Sequence, residues 1–112
     1  MTPQITIAIP TWNNDEQLHW CLNSLIQYVD HPCKIHIIDN GSDPAIAAAL
    51  TSTGQDWIVY DDPGENLGWE GAINRALAAC DTEYFCMMND DVIFPPASTD
   101  FFKILQAHLD DP

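Results

Sequence analysis

Positive charge is almost missing from this chain. Lys34, Arg75 and Lys103 stand against 17 acids in 112 residues, for a formal net charge of −14. Such a surface repels nucleic acid, whose binding depends on Lys and Arg meeting phosphates, and gains nothing from an anionic membrane. It would equally repel a nucleotide diphosphate unless a divalent cation bridged the two anions. Long apolar runs are absent as well, none approaching the ~20 residues of a membrane span. Met1-Thr2-Pro3-Gln4 offers no basic stretch, so no secretory leader is read there. Cys21, Cys33, Cys80 and Cys86 form no C-x-x-C pair, and no histidine sits at zinc-finger spacing. Four reduced thiols in a cytoplasmic protein are the expectation. There is no G-x-G-x-x-G and no G-x-x-x-x-G-K-[ST], which argues against dinucleotide and P-loop sites.

What is present is an apolar fraction of 46%, enough for a core, over a length typical of one domain, residues 1–112. Ile5–Ile9 is short and β-branched, a strand that Pro10 should stop. Leu18, Cys21, Leu22, Leu25, Ile26 and Val29 recur at three and four, one apolar face of a helix capped by Asn14 or Asp15. Cys33–Ile38 and Trp57–Tyr60 read as further strands, with an alanine-rich helix over Ala45–Leu50 between them. Trp69–Ala79 is the next helix, its buried side Ala72, Ile73, Ala76, Leu77 and Cys80. The apolar run that starts at Tyr84 reads as a strand buried on both faces, with Asn89, Asp90 and Asp91 at its carboxyl end and a second short apolar run, Val92–Phe94, before Pro95. Ser98 or Thr99 caps a last helix holding Phe101, Phe102, Ile104, Leu105 and Leu109. Alternating strands and helices predict an α/β fold with a mostly parallel sheet of about four strands.

In a parallel sheet the strand ends share one edge, where ligands bind. That edge would gather Thr11–Asn14, Asp39–Ser42, Asp61 with Asp62, and Asn89–Asp91. Two carboxylates and an amide oxygen at Asn89-Asp90-Asp91 make a hard-oxygen patch suited to Mg²⁺ or Mn²⁺. Asp39 could accept an N–H or O–H from a base or ribose, or Asp39 or Asn40 could close an Asx-type turn on its own backbone. Asn66-Leu67-Gly68 opens a helix whose free N–H groups could face an anion. Gly71 costs ~1 kcal/mol in a helix relative to alanine, so close packing or close ligand approach is suspected there. Arg75 is either paired with an acid or in contact with a phosphate or sugar. Trp12 and Trp69 pack on core or surface, or stack on a ring.

Four stretches carry a resemblance: I-A-I-P-T-W-N-N-D-E-Q-L, I-I-D-N-G-S-D-P, N-L-G-W-E-G-A-I-N-R-A-L and F-C-M-M-N-D-D-V-I-F-P. In that order and register they resemble the nucleotide-sugar-binding half of family 2 glycosyltransferases. The resemblance implies the GT-A fold, a Rossmann-like three-layer α/β/α arrangement, truncated here, with the acceptor-binding half absent. It implies a UDP-, GDP- or dTDP-sugar donor held through Mn²⁺ or Mg²⁺. Pro10, Thr11 and Asp39 would lie around base and ribose. Asn66, Gly68 and Arg75 would shape the donor pocket, with Asp90 beside the diphosphate. Asp91, Asp90 and Asn89 would form the metal site, a D-x-D-like motif departing from the strict pattern at Asn89. Asp91 is the first choice of ligand.

No side chain is assigned as the general base, and the acceptor is unknown. Three readings follow: donor half of a glycosyltransferase, a module that binds a nucleotide sugar or a partner without transfer, or a receiver- or flavodoxin-like module. The last is disfavoured, because the first strand runs into Pro10-Thr11-Trp12 where a receiver needs acids. A homodimer covering the surface of a missing half is a further expectation.

Overall fold

A computed structural model describes residues 3–29, 32–41 and 57–111. Its elements are β1 (Ile5–Thr11), α1 (Asp15–Tyr28), β2 (Cys33–Asp39), β3 (Ile58–Asp61), α2 (Gly68–Ala79), β4 (Tyr84–Met87), a 3-10 turn at Pro96–Ser98 and α3 (Phe101–Asp110). The helix expected over Ala45–Leu50 lies outside the described residues. The strands form one parallel sheet in the order β3-β2-β1-β4.

The alternation of each strand builds two cores, as the pleat requires. Ile5, Ile7 and Ile9 of β1, with Ile35 and Ile37 of β2, face α1 and pack with Leu18, Cys21, Leu22, Leu25, Phe94 and Phe102. Ala8 and Ile38 point to the opposite face, against Ala72, Ile73 and Ala76 of α2. Helices on both faces of a parallel sheet give the three-layer α/β/α arrangement. All seven residues of β1 are buried, as suits a central strand.

β1 does not stop at Pro10 as expected; it runs on to Thr11, with Pro10 opposite Ile38 and Thr11 opposite Asp39. Pairing with β4, by contrast, ends at Ala8–Met87, after which the Met88 amide still donates to the Ala8 carbonyl. The next rung would need an N–H from residue 10, which proline lacks. The proline therefore releases the chain after Met88 from the sheet, at the point where strand order reverses.

Several expectations are corrected. β4 is a four-residue edge strand, half-buried and exposed at Met87, not the strand buried on both faces that its apolar run suggested. Leu77 is exposed and Cys80 half-buried, because α2 contacts the sheet through small Ala72 and Ala76 beside Ile73, a narrower face than the pattern suggested. α1 begins after Asn14, but the Asn14 side chain makes no cap and reaches Asp90 instead. α3 begins after Asp100, not Ser98 or Thr99, and only Phe102 of its apolar residues is buried. Phe102 meets Phe94 at a ring-centroid distance of 5.7 Å. The segment after Asp91 is fastened by buried Ser24, whose Oγ accepts the Phe94 N–H at 2.9 Å and donates to the Cys21 carbonyl at 2.8 Å.

Candidate functional site

The parallel register brings Thr11, Asp39 and Asp61 to one edge: Thr11 lies opposite Asp39, and Asp61 opposite Ile38. Asn89–Asp91 arrives beside them from β4. Asp90 does so through both carboxylate oxygens. Buried Thr11 donates its hydroxyl to Oδ2 at 2.9 Å, and Asn14 donates its side-chain N–H to Oδ1 at 3.0 Å. Asp90 therefore ties the post-β4 segment to the β1–α1 loop. That loop turns through Asn13 at φ 50, a left-handed conformation that asparagine tolerates. Asn89 and Asp91 are exposed. Asp91 has no hydrogen bond or ion pair among the described residues, so its carboxylate is open to solvent. Burial, then the charges of Asp90 and Asp91, push the neighbouring Cys21 thiol up to about 12.

Asp39 is 1% exposed. Tyr60 on β3 donates its hydroxyl to Asp39 Oδ2. Burial first, then this bond and the Asp39 charge, push the Tyr60 phenol up. Asn40 bonds well beyond its own turn. Its amide N–H meets the Thr11 carbonyl at 2.8 Å. Its side chain crosses to the turn before α2, accepting the Leu67 N–H and donating to the Gly68 carbonyl, both at 3.2 Å. Gly68 sits at φ 73 and its N–H is held by the Asn66 side chain at 2.8 Å. Gly71 is explained by packing: a Cβ there would come within 2.8 Å of Leu67 Cβ.

Arg75 is engaged by an acid. Its Nε and a terminal nitrogen donate to Asp61 Oδ2 and Oδ1, each at 2.8 Å, and His36 Nε2 stands 2.9 Å from the same Oδ2. Arg75 foremost, against the pull of burial and with help from His36, holds the Asp61 carboxyl below the ordinary carboxylate range. Trp12 and Trp69 lie on the surface, 58% and 45% exposed, each beside a residue tied to Asn40. Among the described residues no three His, Cys, Asp or Glu side chains converge as a metal cage. The donor chemistry of Asn89-Asp90-Asp91 instead fits an Mg²⁺-like ion, which commonly takes one or two carboxylates and completes its shell with water and substrate phosphates. Among the described residues, no helix is long and apolar enough to cross a membrane.

A sequence profile described as Glycosyl transferase family 2 matches residues 6–112. The chain belongs to this family. Among solved structures, this family 2 chain is similar to the mannosyltransferase PcManGT from Pyrobaculum calidifontis in complex with GDP-Man and Mn²⁺. That likeness has TM-score 0.84 and 22% identity, over 100% of this chain and 34% of that one. It is also similar to S. aureus TarS 1-349 in complex with UDP-GlcNAc, with TM-score 0.79 and 20% identity, over 99% of this chain and 32% of that one. No curated protein matches significantly. The family 2 chain thus has the GT-A fold and spans about a third of the length of these structures.

The sequence places Asn14 and Asn40 at this edge without indicating their bonds, and it does not single out Tyr60 at all. Each bonds a partner at least 20 positions away, and no local pattern announces that. Tyr60 had one usable signal, its place at the end of a strand beside the strand that ends in Asp39.

Proposed function

We propose that this chain is the donor-binding part of a glycosyltransferase and that it holds a nucleotide-diphospho-sugar at the carboxyl edge of its sheet. The observation that carries the reading is the joining of four separate segments there, through Thr11–Asp90, Asn14–Asp90 and Asn40 with the Leu67–Gly68 backbone. In this reading Pro10 and Thr11 border the nucleoside. Asp39, with one oxygen fixed by Tyr60, accepts a hydrogen bond from base or ribose. Asn66 and Gly68 shape the pocket where the N-terminus of α2 faces negative charge. Asp91 is the leading metal ligand, with Asn89 and the remaining lone pairs of Asp90 beside it. Bound there, Mn²⁺ or Mg²⁺ would neutralise the diphosphate and stabilise it as a leaving group. Exposed Trp12 and Trp69 offer open indole faces to a base or sugar ring. Arg75 can reach a ligand only by giving up its paired grip on Asp61. The four free thiols support a cytoplasmic setting.

The donor complexes of PcManGT and TarS support a nucleotide sugar as ligand class. Calorimetry with UDP, GDP and dTDP, each with and without Mn²⁺, tests the reading. Binding of at least one nucleotide that depends on the metal is expected, and no binding with Mn²⁺ present overturns it. Because the chain spans a third of those structures, a module that binds without transferring is the second reading. Release of free nucleotide diphosphate from a bound donor would exclude it. A homodimer is tested by sedimentation, where a clean monomer refutes it.

A further inference from the structure

We propose that Asn40 is a positioning residue that presets the Leu67–Gly68 backbone for the donor, an inference that rests on the donor-site reading above. Asn40 is 5% exposed and joins three segments. Its main-chain N–H is fixed to the end of β1 at Thr11, and its side chain grips the turn before α2 at two points. The chemistry of that grip selects the residue type. One end must accept the Leu67 N–H while the other donates to the Gly68 carbonyl, and a primary amide does both. Aspartate would set a carboxylate oxygen against the Gly68 carbonyl. Serine and alanine are too short to span the two points.

The surroundings are built around the same contact. Gly41 turns at φ 84, and a Cβ there would lie 3.5 Å from the Asn66 nitrogen, so the strand-end loop lies directly against the turn. Gly71 leaves room for Leu67, whose N–H is one of the two gripped groups. Gly68 has open space around its missing Cβ, so the turn presents bare backbone to the edge. A turn fixed in advance does not have to be ordered when the ligand arrives, and that preorganisation appears as affinity.

The test measures amide exchange at Leu67 by NMR, and binding of UDP–Mn²⁺ and GDP–Mn²⁺ by calorimetry. Both are applied to the wild type, Asn40→Ala, Asn40→Asp and a control, Ser24→Ala, whose side chain is also buried but serves Phe94. Both Asn40 variants should exchange the Leu67 amide at least tenfold faster and bind nucleotide about tenfold more weakly. Ser24→Ala should lose thermal stability while keeping wild-type affinity and Leu67 protection. A folded Asn40→Ala with wild-type affinity, or with wild-type protection at Leu67, overturns the positioning role. Equal weakening in Ser24→Ala overturns it too, since the effect would then be general destabilisation. If the wild type binds neither of these nucleotides, nor dTDP with Mn²⁺, the donor-site reading fails and the inference falls with it.

Discussion

The two adjacent acids of the N-D-D motif should behave differently when removed. Asp90 accepts from Thr11 at 2.9 Å and from Asn14 at 3.0 Å, whereas Asp91 is exposed and bonds no described residue. A hydrogen bond to a charged group contributes roughly 1.5–3 kcal/mol. Asn14 is half-exposed and can turn to water, so most of the loss falls on the hydroxyl of Thr11, which is 2% exposed. Asp90→Ala should therefore cost about 2 kcal/mol, which for a domain of this size lowers Tm by roughly 8 °C. Asp90→Asn is the informative companion. Its carbonyl oxygen can still accept from Asn14, while the Thr11 hydroxyl rotates to accept from the new NH₂, so the cost should stay under about 1 kcal/mol. Asp91→Asn should fall within about 0.5 kcal/mol of wild type, as exposed substitutions do. Metal-dependent nucleotide binding should show the reverse order, with Asp91→Asn losing it most completely. Differential scanning calorimetry gives the stabilities, and titration with UDP or GDP in Mn²⁺ gives the binding. An Asp90→Ala variant that melts within 2 °C of wild type, by the same scale, would refute the strut role. An Asp91→Asn variant that keeps its Mn²⁺ response would refute the ligand assignment.

Ser24→Ala strands the buried Phe94 N–H, a loss of about 1–3 kcal/mol, and a denaturant midpoint equal to wild type would contradict it. Gly71→Ala should destabilise despite alanine's ~1 kcal/mol helix advantage, because the added Cβ meets Leu67 Cβ at 2.8 Å; a raised Tm would show that Leu67 yields freely. Asp61, held below its ordinary value chiefly by Arg75, contributes stability that is present above the unfolded carboxylate value of about 4 and is lost as pH falls through the lowered folded one. The stability gap between wild type and Asp61→Asn, read from urea midpoints, should therefore shrink from pH 6 towards pH 3; a constant gap argues against the pairing. Partial burial pushes the Cys80 thiol up, but hydrogen bonds with Thr82 and Thr6 outweigh it and bring it below the usual value, while burial first of all takes Cys21 to about 12 and Cys33 to about 11. Iodoacetamide at pH 8 should label Cys80 first, and Cys21 labelled as fast as Cys80 in folded protein would refute the ordering.

The fold was legible because its signals are local. The β-branched runs at Ile5 and Ile35 and the three-four spacing from Leu18 to Leu25 each declare an element without knowledge of its neighbours. The parallel sheet follows from their alternation. Position within the sheet was not legible. Phe85 and Met87 look like core by composition, yet β4 lies at an edge, where the partner on its second side is a matter of topology. Pro10 misled for a related reason. Proline does remove a rung, but the missing rung falls on the β4 side, so β1 continues along β2. At the site, residue types pointed to the correct edge but not to the bonds between segments. A cap at Asn14 and a turn at Asn40 are the good local solutions that a sequence offers. The bonds these side chains make to Asp90 and to Leu67 with Gly68 span long stretches of chain and exist only once the strands are aligned.

Charge then decides how an anionic donor could be held at this edge. The chain carries −14, and two of its three cations are already engaged, Lys34 with Asp81 and Arg75 with Asp61. Lys103, on α3, is the one left without a carboxylate partner among the described residues. The Arg75 pair is bidentate and sits on a half-buried carboxylate that His36 also contacts, so releasing the guanidinium would leave Asp61 charged and short of partners. At the strand edge itself, the groups among the described residues that can favour a phosphate include the N–H dipoles at the start of α2, worth roughly 0.3–1 kcal/mol against an exposed anion. The same strand edge carries the carboxylates of Asp39, Asp90 and Asp91, whose charges oppose an anion. A divalent ion at Asp91 would reverse the sign of the local field. The scarcity of lysine and arginine and the open carboxylate of Asp91 thus support one account, in which the cation arrives with the ligand rather than from the chain.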